Sequence, residues 1–236
     1  MLKLYHAPTT RSFRIKWLLN ELGIAHDEQL INFYGGDRHT PEYRSVNPMG
    51  SVPAMQDGSL TLTESGAIIN HIIRTYGEGR FAYPASSAEA ALVDEWMFWS
   101  EGLFAVHQRM YWDHSAPAPG CIADTVPSVG EYGRTYAIRY AGMLERALGE
   151  EGFMVGDGLT GADFMLSHPL FLANLENWFA DLPKIRAYVG RITERPAFQA
   201  AIADTMAELA AMAQPGRKFE SFRTLEPAAV WSVHDG

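Results

Sequence analysis

In the stretch Met49 to Ile68, MGSVPAMQDGSLTLTESGAI, a proline follows a valine at the point where a strand should begin. Proline has no N–H to give to a ladder, so it belongs at strand starts, edges and bulges. The bond before it is also the one kind of peptide bond in which the cis form is cheap enough to be used. Val52–Pro53 is therefore a special backbone site. Beyond it, Asp57-Gly58 marks a hairpin turn, and Leu60 and Leu62 alternate with Thr61 and Thr63. Ile68, Ile69, Ile72, Ile73 and Tyr76 then form a helical stripe that Gly77 ends. The stretch reads strand, strand, helix.

Upstream the signals alternate. Leu2 and Leu4 in KLYH share one face of a strand, and APTTRS is a turn rich in helix-capping residues. In FRIKWLLNELG, Ile15, Leu18, Leu19 and Leu22 sit at helical spacing before a stop at Gly23. A weaker strand is expected around His26–Ile31, followed by a loop or short helix. Residues 1–80 thus read as a mixed α/β domain of ordinary size, and residues 87–212 as all-helical. Ser86 with Glu89 and Thr160 with Asp163 read as capping boxes, Pro169 as a kink, and Pro196 as the first residue of a long helix. His114–Pro127, HSAPAPGCIADTVP, reads as a loop between helices. The tail 213–236 carries Phe219, Phe222, Leu225, Val230 and Trp231, more apolar than a solvated segment needs, and is expected to pack on the helical domain.

Charge supports the division. Residues 1–80 hold eight Lys/Arg and eight Asp/Glu, so the whole net charge of −9 arises after Arg80. An acidic chain without a basic stripe argues against nucleic acid or an anionic membrane as a partner. The start MLKLYH is unlike a signal peptide, and no apolar run approaches the ~18 residues of a spanning helix, so a cytoplasmic location is expected. A single cysteine, Cys121, allows no internal disulfide and no CxxC pair, so any thiol chemistry must bring its thiol from outside. The eight histidines show no tight ligand spacing, and no metal is expected.

A small α/β domain carrying NPMGSVPAM and LTESGAI, followed by a helical domain with GDGLTGADFML and RPAFQAA, resembles the cytosolic glutathione transferase superfamily over roughly residues 1–212. The resemblance implies a thioredoxin-like domain that binds glutathione. Val52, placed before a cis Pro53, would offer its backbone N–H and C=O to the cysteinyl part, to which the tripeptide adds like a short strand. Glu64 and Ser65, where a strand meets a helix N-terminus, would bind the γ-glutamyl end. In the APTTRS turn, Thr10 falls at the position of the catalytic serine of theta-like members and Arg11 at that of the beta-class cysteine. Thr10 is the first choice for the thiolate donor, Thr9 and Ser12 are alternatives, and Arg11 is a rival through its N–H or guanidinium. Ser51 stands where a lysine is often found, and Arg38 or His39 could replace that contact. Glu101 aligns with an acid that in some members reaches across a dimer interface to the glutathione amine. Thr160 and Asp163 are structural in this family.

The activity implied is attack of an activated glutathione thiol on a hydrophobic electrophile by a two-fold homodimer. Pro8, Thr9, Phe104, His107, Met110 and Tyr111 would line the second-substrate site. The competing readings are glutathione-dependent lysis, reduction or isomerisation of one metabolite, and a glutathione-binding scaffold without turnover.

Overall fold

Alternation along the first strand, β1 (Leu2–His6), sends Leu2, Leu4 and His6 to one side of a sheet and Tyr5 to the other, and both sides are buried. The computed structural model describes residues 1–33, 35–115 and 124–212. The expected tail lies outside the described residues, as does most of the His114–Pro127 loop. β1 pairs in parallel with β2 (Asp27–Leu30) and antiparallel with β3 (Ala54–Asp57), which carries β4 (Leu60–Leu62), giving the order β2-β1-β3-β4. Asp57 pairs with Leu60, so the turn is Gly58-Ser59, one residue later than the Asp-Gly signal centres it, with Gly58 at φ +59°. Asp57 instead accepts from His71 (2.8 Å) and Tyr76 (2.7 Å) of a helix.

That helix, α3 (Ser65–Tyr76), and α1 (Phe13–Leu22) pack with Leu2 and Leu4; Tyr43 of α2 (Pro41–Val46) packs with Tyr5, Ile31 and Val52 on the opposite side. This is the thioredoxin-like arrangement that the resemblance implied. The helical part follows as α4 (Ala88–Trp99), a π-helical segment (Ser100–Ala105), α5 (Val106–Ser115), α6 (Pro127–Ala147), α7 (Gly161–Leu175), α8 (Pro183–Thr193) and α9 (Pro196–Met212). The N-cap of α4 is Ser87, whose Oγ accepts from the Ala90 N–H at 3.1 Å. The Ser86–Glu89 box is therefore corrected by one residue, because Ser87 takes the extended backbone of an N-cap and aims its oxygen into the first turn.

The central α7 is buried along Gly161–Ala173, as a helix surrounded by others must be. It runs across Pro169, which has no N–H to give the Met165 carbonyl. Ser100 Oγ donates to that carbonyl at 3.0 Å, and Gln108 Nε2 donates to the Pro169 carbonyl at 2.8 Å. The π-helical segment is thus tied to the turn of α7 that Pro169 leaves without a donor. Trp17 lies 4.4 Å from Phe164 and 5.4 Å from Phe198 between ring centroids, and Phe13 lies 5.0 Å from Phe198. One apolar cluster therefore joins α1 to α7 and α9, and holds the first turn at the junction of the two parts.

Candidate functional site

The Val52–Pro53 bond is cis. The β1–β3 ladder ends at Tyr5–Ala54, so the Val52 backbone lies beyond the last pair. The approach to it is fixed from behind: the Ser51 carbonyl accepts from Tyr43 Oη (2.5 Å) and Asn47 Nδ2 (2.7 Å). Gly50, at φ +61°, sits where a Cβ would come within 2.6 Å of the Arg38 carbonyl, which excludes any side chain and seats the Asp37–His39 turn against the Val52 loop. Arg38 lies over the Phe33 ring (4.4 Å), and His39 Nδ1 is 3.2 Å from Arg44 Nη2.

The turn before α1 is a knot of short hydrogen bonds. Thr9 takes φ +62°, and its carbonyl accepts from His168 Nε2 of α7 at 3.1 Å. Burial, with the Arg14 charge nearby, holds the His168 imidazole down at about 3, so the ring is a neutral donor. Ser12 is 0 % exposed, and its Oγ meets His6 Nδ1 (2.7 Å), Thr10 Oγ1 (2.7 Å), the Ala7 carbonyl (3.0 Å) and the Ala7 N–H (3.1 Å). A hydroxyl so engaged has no valence left for a ligand, which removes Ser12 as a direct thiolate donor. Thr10 is half-buried, and its Oγ1 donates to the Ala7 carbonyl at 2.8 Å or shares a proton with Ser12.

Arg11, Ser65 and Glu101 come together through a residue that the motif reading passed over. Arg14 is fully buried; its Nη1 donates to Ser65 Oγ (3.1 Å) and pairs with Glu101 Oε1, while Arg11 Nη1 pairs with Glu101 Oε2 at 2.7 Å. Burial alone would raise the Glu101 carboxyl, but the Arg14 and Arg11 guanidiniums outweigh it and hold it at about 2. Glu101 thus bridges two cations of its own chain. Among the described residues, Arg14 Nε and Nη2 are buried without a hydrogen-bond partner. Ser65 opens α3, with Glu64 as the exposed N-cap making no side-chain cap hydrogen bond, so the helix end presents donors and positive potential.

The expected second-substrate residues divide. Pro8 is buried and Thr9 half-buried beside the turn. Phe104 is corrected: it is 0 % exposed, stacked on Trp99 at 5.8 Å and tilted against Phe179 at 6.2 Å, and so belongs to the core. His107 stacks on Tyr136 (5.7 Å) and meets Tyr140 edge-on (5.1 Å), Met110 faces Gly133, and Tyr111 meets Trp178 at 5.0 Å. These α5 side chains engage the helical part itself, because close α5–α6 packing at Gly133 uses that face of the helix. His6, Glu28 and Glu208 bring ligand atoms within 4.8 Å of one another. The Lys16 ammonium already bridges the two carboxylates, at 2.9 Å and 2.5 Å, which makes the group an ion-pair network around a lysine. Among the described residues no helix is long and apolar enough to cross a membrane.

Residues 1–74 match the family model for the glutathione S-transferase N-terminal domain, and residues 129–204 that for the glutathione S-transferase C-terminal domain. The chain is 25% identical over 207 residues to glutathione S-transferase 3 of Schizosaccharomyces pombe, covering 84% of this chain and 85% of that one. It is 28% identical over 214 residues to glutathione S-transferase 1 of Triticum aestivum, covering 82% and 90%. A glutathione transferase homologue from Lodderomyces elongisporus, crystallised with two glutathione molecules per subunit, superposes with a TM-score of 0.78 at 25% identity, covering 86% of this chain and 98% of that chain.

Proposed function

Because the chain belongs to the cytosolic glutathione transferase superfamily, we propose that it binds glutathione and activates its thiol for attack on a hydrophobic electrophile, with Thr10 as the thiolate donor. The observation that carries this reading is the contrast in the first turn: Ser12 is sealed, whereas Thr10, on the same hydrogen-bonded knot, stays half-buried with a rotatable hydroxyl. The Val52 backbone would take the cysteinyl part, and the N-terminus of α3 with Glu64 and Ser65 the γ-glutamyl carboxylate. Arg38 and His39, seated against the Val52 loop, supply cationic or donor groups where Ser51 offers only a hydroxyl.

A free thiol has a pKa near 8.5, so only a few per cent is thiolate at pH 7. One hydrogen bond to the anion contributes about 1.5–3 kcal/mol, a ten- to hundredfold gain in thiolate. Thr10→Ala is therefore expected to lower kcat with an aryl halide by about tenfold or more and to raise the pKa of the bound thiol, with glutathione affinity by calorimetry nearly unchanged. Full activity in Thr10→Ala, with loss on changing Arg11, would move the donor role to Arg11.

The same reading includes a two-fold homodimer, and light scattering at micromolar concentration should give about twice the 26.2 kDa chain mass. A monomer mass would remove it. Glu101 needs no partner subunit for its charge balance, since Arg11 and Arg14 supply both counter-ions.

A further inference from the structure

Behind Thr10 runs an unbroken line of hydrogen-bonding atoms. Thr10 Oγ1 is 2.7 Å from Ser12 Oγ, Ser12 Oγ is 2.7 Å from His6 Nδ1, and His6 Nε2 is 2.9 Å from Glu208 Oε2. His6 points inward because strand alternation puts it on the side of Leu2 and Leu4, where α1 and α9 cover it, and it is 0 % exposed. We propose that His6 is the proton acceptor for the glutathione thiol, reached through Ser12 and Thr10 and held in the accepting tautomer by Glu208. The inference rests on Thr10 being the neighbour of the thiol, as proposed above.

The tautomer follows from the partners. A carboxylate can only accept, so His6 Nε2 carries a proton, and Nδ1 of the neutral ring accepts from the Ser12 hydroxyl. Ser12 Oγ then accepts from the Ala7 N–H at 3.1 Å and from Thr10. In the transfer the S–H bond breaks and its proton goes to Thr10 Oγ1, the proton of Thr10 goes to Ser12 Oγ, and that of Ser12 goes to His6 Nδ1. The products are a thiolate accepting from the Thr10 hydroxyl and an imidazolium bonded to Glu208. No electrons are exchanged and no proton leaves the protein. The division of labour is that of a carboxylate–imidazole–hydroxyl triad, with one more hydroxyl between base and nucleophile.

The charges around His6 favour that product. From α9 it faces Glu208, and beyond it Asp204; from β2 it faces Glu28, with His26 3.9 Å from Glu28; from α1 comes Lys16, 2.9 Å from Glu28, 2.5 Å from Glu208 and 3.7 Å from Asp204. Without a proton on His6, the three carboxylates outnumber the cationic partners Lys16 and His26, whose own pKa is raised by Glu28, and a proton on His6 brings the group closer to balance. Despite burial, the nearby His26 and the hydrogen bond from Lys16 hold the Glu28 carboxyl at about 2, and the hydrogen bonds from His6 and Lys16 keep Glu208 below its usual value, so both are anions at neutral pH. His6 touches no substrate in this scheme; it is a positioning residue that stores a proton two hydroxyls away.

The test is glutathione binding to the full chain at pH near 7, followed by calorimetry in buffers of different ionisation enthalpy and by thiolate absorbance. The wild type is expected to form thiolate while releasing well under half a proton per thiolate. Glu208→Gln keeps a hydrogen bond to His6 but removes the charge, and should raise the pKa of the bound thiol by about one unit, a tenfold loss of thiolate below that pKa. Ser12→Ala breaks the line in the middle and should do the same; it serves as the second variant if Glu208→Gln unfolds. One proton released per thiolate in the wild type, or an unchanged thiol pKa in both variants at unchanged glutathione affinity, overturns the relay alone. Binding with an ordinary thiol pKa overturns thiol activation, and absence of binding overturns the functional reading itself.

Discussion

Asp163→Ala is expected to lower the unfolding free energy by roughly 3–5 kcal/mol, a large share of the ~5–15 kcal/mol that a domain commands. The carboxylate is 0 % exposed and spends both oxygens: Oδ1 accepts from the Met154 N–H (2.9 Å) and Tyr188 Oη (2.6 Å), and Oδ2 accepts from the Thr160 N–H (2.7 Å) and Thr160 Oγ1 (3.0 Å). Alanine would strand those donors in a dry core, and each unsatisfied buried group costs about 1–3 kcal/mol. Asp163→Asn separates hydrogen bonding from packing. Its amide can replace only one oxygen as acceptor, so the Thr160 N–H would face an NH2 group, and a smaller loss of about 1–3 kcal/mol is expected. Urea denaturation measures both. Equal, small losses in the two variants would show that the start of α7 does not depend on this carboxylate.

How far the chain could be read before its structure was known follows from which forces act locally. The cis proline, the hairpin and the Thr160–Asp163 box were legible because each is set by a few adjacent residues. The electrostatic part of the site was not. Arg14 sits in FRIKWLLNEL among residues buried without a break from Phe13 to Leu19, and a cation in so buried a helix was the available signal of an internal partner. Its partner lies 87 positions away in Glu101, and the partner of His6 lies 202 away in Glu208, separations at which no local pattern speaks. The misassigned Phe104 has the same origin: an aromatic at helical spacing reads alike whether it faces a ligand or Trp99. Pro169 reads as a kink, and α7 does run across it; that Ser100, far off in sequence, donates to the Met165 carbonyl in place of the missing N–H is what no local pattern shows.

Glu101→Ala should be the most damaging change near the proposed site, and its cost should depend on acid. The side chain is 29 % exposed and pairs with Arg11 on the surface and with fully buried Arg14, so removing it leaves a buried guanidinium without a counter-ion. Breaking a buried pair from one side costs about 3–5 kcal/mol, more than the pair contributes relative to an apolar replacement. Its folded carboxyl is held at about 2, below its ordinary 4.5. A depressed carboxyl gives stability that is fully present above about 4.5 and is lost as pH falls toward 2, when the folded state must also take up the proton. The shift corresponds to about 3 kcal/mol, consistent in size with the mutational cost. Wild-type and Glu101→Ala stabilities should therefore differ most near neutral pH and converge as pH falls below about 3. Ser65 gives the check on position: Arg14 freed from Glu101 still has Ser65 Oγ at 3.1 Å, so Glu101→Ala with Ser65→Ala should cost more than the sum of the single changes. A pH-independent difference between wild type and Glu101→Ala, or strict additivity with Ser65→Ala, would show that the Arg14 charge is balanced elsewhere.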